Sequence, residues 1–110
     1  MQNSAVTIRK EKFVDSNSYT IITSAIKEDV SSTPEVKITA IYNANKEDCD
    51  YKKIYVKASS VGTEVLVTKG SWIEVPVPDS LNKAGNGIVL YGKGHDPKLD
   101  CYVSGYWNVH

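Results

Sequence analysis

Two polar segments carry the side chains from which a site could be built. Gly92-Lys-Gly-His-Asp-Pro-Lys-Leu-Asp100 is punctuated by glycine and presents His95, Asp96 and Asp100. Asn43-Ala-Asn-Lys-Glu-Asp-Cys-Asp50 gathers Asn43, Asn45, Glu47, Asp48 and Asp50 into a second run. Amides and carboxylates bond the ring hydroxyls of a sugar, while an aromatic ring stacks on the apolar face of a pyranose. Seven tyrosines and two tryptophans stand against one phenylalanine, which tilts the aromatic set toward amphipathic types. Asn43, Asn45, Asp48, His95 and Asp96 are therefore the expected carbohydrate-binding residues, with Trp72 or Trp107 as the stacking ring.

Other chemistries find less material. Hard oxygen donors crowded on one loop are what calcium takes, and Asp48 and Asp50 are its expected ligands. The spacing is not that of an EF-hand, however, and no glycine marks its turn; a solvated connection is the commoner use of such a loop. Zinc would need paired C-x-x-C spacing, which is missing. A Ser-His-Asp triad would have to join His95 to the adjacent Asp96, and sequence neighbours rarely orient one another in that way. No Gly-x-Ser-x-Gly elbow occurs. A binding protein is expected, not an enzyme. Cys49 and Cys101 are too few for a disulfide framework. One bridge, contributing on the order of 4 kcal/mol, and two free thiols both stay open. A bridge would draw the 43–50 and 92–100 loops together.

Something must hold these loops, and the chain supplies strands. Runs rich in Val, Ile, Thr and Tyr recur at Val6–Arg9, Tyr19–Ile26, Val36–Tyr42, Tyr51–Ala58, Glu64–Val67, Trp72–Val77, Gly87–Tyr91 and Cys101–Val109. Clusters of Gly, Asn, Asp, Ser or Pro stop each one, and 79–85 has room for a single helical turn. The expected fold is all-β: one domain over residues 1–110, an antiparallel two-sheet β-sandwich of seven or eight strands, immunoglobulin-like or jelly-roll. Alternation turns Val36, Ile38, Ala40 and Tyr42 inward, with Ile54, Val56 and Ala58, and with Ile73, Val75 and Val77. Trp72 and Glu74 then face out. Ile88–Tyr91 is apolar on both parities and reads as a central strand covered on both faces, with Leu90 in the core.

Bulk properties narrow the partners. Thirteen Lys+Arg against thirteen Asp+Glu give a formal charge of zero, which disfavours a nucleic-acid partner. No stretch approaches the roughly 18–20 apolar residues of a membrane helix. The first twenty residues lack the apolar core of a signal peptide, so a cytoplasmic pool, a processed form and leaderless export are all compatible.

Trp72-Ile-Glu-Val-Pro-Val-Pro-Asp-Ser-Leu81 and Asp100-Cys-Tyr-Val-Ser-Gly-Tyr-Trp-Asn-Val109 carry a resemblance. A Pro-x-Pro strand followed by a Tyr-Val-x-Gly-x-aromatic strand resembles the carboxy-terminal immunoglobulin-like domain of the slime-mould calcium-dependent cell-adhesion protein. In size and rhythm the chain is similar to the small slime-mould haemagglutinins. That adhesion protein has a preceding calcium-binding βγ-crystallin-type domain with no counterpart here, so a free-standing lectin or haemagglutinin is the better fit. The resemblance implies cell-surface glycans or glycoproteins as partners, and an extracellular or cell-surface location reached by leaderless export. Agglutination would require two sites per chain or a homodimer. The alternative is a protein–protein adhesion or membrane-attachment module with no sugar site.

Overall fold

Each β-branched run becomes a strand in the computed structural model, which describes residues 5–95 and 100–110, without the side chains of 9–11. The strands are β1 (Val6–Val14), β2 (Thr20–Ile26), β3 (Glu35–Tyr42), β4 (Lys53–Ala58), β5 (Val65–Thr68), β6 (Trp72–Glu74), β7 (Gly87–Gly94) and β8 (Cys101–Asn108). A 3-10 turn at Asp79–Leu81 is the one helical element among the described residues, so no described helix is long and apolar enough to cross a membrane.

Among the described residues two four-stranded antiparallel sheets form, in the orders β1-β8-β3-β6 and β2-β7-β4-β5. First pairs with last, second with seventh, third with sixth and fourth with fifth. That nesting is one long hairpin rolled into a barrel-like sandwich, the jelly roll. An immunoglobulin domain would instead set strands A, B, E and D against C, F and G. The immunoglobulin-like alternative is therefore corrected to the jelly roll.

Ile38, Ile54, Val56, Val75 and Leu90 are buried between the sheets, as alternation requires, and Ile73 is half-buried against them. Ala40 and Tyr42 depart from the expected phase. The β3–β8 register jumps from Ile38↔Gly105 to Ala40↔Ser104, so Thr39 is an extra residue and Ile41 takes the inward place. β1 is irregular opposite the same point, between Ile8↔Gly105 and Lys12↔Val103. Gly105 explains how closely β3 passes β8 there. A Cβ on it would stand 2.0 Å from the Lys37 carbonyl oxygen.

β7 also corrects the expectation. It is central in its sheet, yet only Ile88, Leu90, Gly92 and Gly94 are buried, while Val89, Tyr91 and Lys93 form a half-exposed outer face. Trp107, fully buried, crosses from one sheet to the other and donates Nε1–H to the Ile88 carbonyl at 3.2 Å.

Ile54→Ala is expected to cost about 2–5 kcal/mol by emptying the core. Gly105→Ala is expected to cost about 1–3 kcal/mol or more by overpacking β8 against β3. Urea midpoints at constant slope measure both, and a neutral Gly105→Ala would contradict the contact.

Candidate functional site

Three connections meet at the end of the sandwich where β7 stops. The β1–β2 connection is tied to the β7–β8 one twice. Gly94 donates its backbone N–H to the Asp15 carbonyl at 2.9 Å, and Ser16 donates its own to Asp100 Oδ1 at 2.9 Å. The β3–β4 connection folds on Asn43, whose Oδ1 accepts the backbone N–H groups of Asn45 (2.9 Å) and Glu47 (3.1 Å). Lys46 takes a positive φ of 63° to close that turn.

Between these connections lies a cleft of about 350 Å³. Asp50, Tyr51 and Lys53 line it from the β3–β4 side, His95 from the β7–β8 side, and Cys101 also contributes. The two loops expected to converge do so, at Asp50 and His95. Asp96 lies outside the described residues. Asn43, Asn45 and Asp48 sit elsewhere on the loop and do not line the cleft. Asn43 is a structural residue, its side-chain oxygen already bonded to its own turn, whereas Asn45 and Asp48 are exposed.

Neither tryptophan reaches the cleft. Trp107 shares inward parity with Cys101, Val103 and Gly105, so it belongs to the core and its expected stacking role is corrected. Trp72 is exposed as expected, but on the outer face of the other sheet, its ring 6.4 Å from that of Tyr106. Among the described residues no group of three His, Cys, Asp or Glu side chains gathers in a way that could hold a metal ion. Asp48 and Asp50 belong to no such group, and calcium is not assigned to them.

Cys49 and Cys101 are both free thiols. Tyr42 pairs with Asp48 on one side and Tyr102 on the other, so β3 runs between the two cysteines. Two strand spacings amount to about 9.5 Å, beyond the roughly 7 Å that a disulfide tolerates between Cα atoms. Cys49 donates Sγ–H to the Ile41 carbonyl at 3.5 Å. Burial, with smaller contributions from Cys49 and Asp100, pushes the Cys101 thiol up to about 12.

The cleft opens onto the outer face of the β2-β7-β4-β5 sheet, which carries functional groups that the sequence reading missed. The Tyr55 ring lies 5.6 Å from His95. Lys57 Nζ sits 4.2 Å from the centroid of Tyr19 and 5.9 Å from that of Tyr91. Lys93 Nζ sits 5.0 Å from Tyr19 and 5.6 Å from Tyr55. Glu64 lies 3.8 Å from Lys93 and accepts a hydrogen bond from the Tyr19 hydroxyl. Partial burial, then the Glu64 bond and charge, drive the Tyr19 phenol well above its ordinary range. A signal for this face exists in the sequence: Lys53-x-Tyr55-x-Lys57 and Tyr91-x-Lys93-x-His95 both lie on the outward parity.

Compared with protein-family models, with curated proteins and with solved structures, the chain matches none.

The raised Cys101 pKa predicts an alkaline weakness. An unfolded thiol ionises from about pH 9 while the folded one stays protonated to about 12. This thiol's contribution is present below pH 9 and falls by up to about 1.4 kcal/mol per pH unit as pH rises above it. Cys101→Ala should flatten the loss measured by denaturation between pH 8 and 10.5. Parallel losses in the two proteins would contradict it.

Proposed function

We propose that this protein binds carbohydrate, and that it does so as a lectin rather than as an enzyme. The convergence of Asp50 and His95 on one cleft, continued by the Tyr55 ring, supports this most directly. A carboxylate accepts from sugar hydroxyls, an imidazole and the Lys53 ammonium donate to ring and hydroxyl oxygens, and a tyrosine ring offers an apolar surface. Mixed polar groups around a concave site suit recognition. Jelly rolls include lectin domains, although a fold hosts many functions and the site must carry the assignment. The resemblance to slime-mould haemagglutinins agrees with it and makes cell-surface glycans or glycoproteins, met outside the cell, the proposed partners. A single open cleft binds weakly, so a homodimer would supply the avidity that agglutination needs.

One observation favours the protein–protein alternative. Trp72 and Tyr106 form an exposed aromatic pair on the opposite face, with Phe13 and Tyr102 packed edge to face, ring centroids 5.5 Å apart, on the same sheet. Aromatic residues are enriched at such interfaces.

Glycan-array binding separates the two. Wild type should bind, Asp50→Ala and His95→Ala should each weaken binding by about fivefold or more, and Trp72→Ala should leave it intact. Absence of glycan binding by wild type at high concentration would overturn the assignment. Loss through Trp72→Ala alone would move the site to the other sheet.

A further inference from the structure

The outer face of β4 and β7 is a ladder in which every described cross-strand pair joins one ring to one ammonium. β4 turns Lys53, Tyr55 and Lys57 outward, and β7 turns Tyr91 and Lys93 outward, with His95 just beyond its end. The register sets Tyr55 against Lys93 and Lys57 against Tyr91. Same-face neighbours along a strand recur at about 6.5–7 Å, so the outward groups form a regular row. The Lys57 and Lys93 ammonium groups rest near tyrosine rings, which hold them in place by cation–π attraction.

One carboxylate is already seated there. Glu64, on the segment leading into β5, receives the Tyr19 hydroxyl and lies 3.8 Å from Lys93 Nζ. Lys53, Lys57 and Lys93 outnumber Glu64 on this face, with Asp50 a second carboxylate in the cleft at its end. The contact defines a seat with a phenol donor and an ammonium, both suited to an anionic group.

We propose that this ladder binds an acidic glycan, one bearing carboxylate or sulfate groups, and that Glu64 occupies the seat that the glycan's anion takes. The proposal rests on the carbohydrate-binding assignment above and names its ligand class, with the cleft at Asp50 and His95 as the end of a longer groove-free track. Rings meet the apolar faces of the sugars, Tyr55 and Tyr91 hydroxyls meet their hydroxyls, and Lys57 and Lys93 meet the charges. A single-stranded nucleic acid fits less well. Tyr19, where a base would stack, already carries two ammonium groups at 4.2 and 5.0 Å, whereas Tyr55 and Tyr91 each carry one, at 5.6 and 5.9 Å.

The test titrates the full chain with a heparin-derived octasaccharide, a neutral chito-oligosaccharide and single-stranded oligouridine, at low and high salt. Expected are heparin binding that weakens with salt, a loss of about tenfold or more in the Lys57→Ala/Lys93→Ala double variant, and retention in Lys93→Arg. Glu64→Gln should tighten heparin binding by about two- to fivefold, a gain that misfolding cannot produce. Binding of the neutral sugar without heparin binding would overturn the acidic-glycan proposal and leave the carbohydrate assignment standing. Absence of binding to any saccharide would overturn both. Tighter binding of oligouridine than of heparin, or a Glu64→Gln variant that binds heparin no better than wild type, would overturn the proposal.

Discussion

β8 packs closely against β3 because Gly105 has no side chain where the Lys37 carbonyl passes it, and the rest of the sandwich depends on that approach. Any Cβ would meet that oxygen at 2.0 Å. Both neighbouring strands bulge opposite the same point, so β8 keeps its own alternation while theirs shifts. Upstream, that alternation points Cys101 inward beside the cleft. Downstream it drives Trp107 across the core to the Ile88 carbonyl, which locks the two sheets together. One glycine thus sets the phase of both the core and the candidate site.

The far end of the sandwich is closed by a different device. Lys27 is fully buried, with Nζ donating to the Val109 carbonyl at 2.7 Å and to the Ser32 carbonyl. Burial lowers its pKa, and the charge of Asp29 opposes that shift. Carbonyl dipoles rather than a carboxylate meet the ammonium, and a buried charge is tolerated only when its donors are bonded. The His110 carbonyl accepts the N–H groups of Glu28 and Asp29, while its ring meets Glu35 at 2.9 Å.

Strand positions were legible because β-branched runs and their turn residues are local signals. All eight expected runs became strands; the face assignment failed where Thr39 entered as an extra residue and at β7, which is covered on one face only. Trp107 was assigned by the chemistry of its ring, although its strand parity with Val103 already placed it inside. The convergence of Asp50 with His95 was foreseeable from two polar loops. The disulfide stayed open because only the long-range register shows β3 lying between Cys49 and Cys101. For the same reason the tyrosine–lysine ladder escaped notice: Lys53, Lys57 and Lys93 each read as an ordinary solvated lysine until β4 and β7 are known to be neighbours.

The central claim is that glycan recognition occupies the β4–β7 face and the cleft at its end. Backbone amide chemical shifts of the labelled protein, followed while the heparin-derived oligosaccharide is added, test it most directly. Shifts concentrated at residues 53–57 and 91–95, with little change at 72 and 106, are the predicted result. Shifts confined to 72 and 102–106, or no shifts at saturating oligosaccharide, would contradict it.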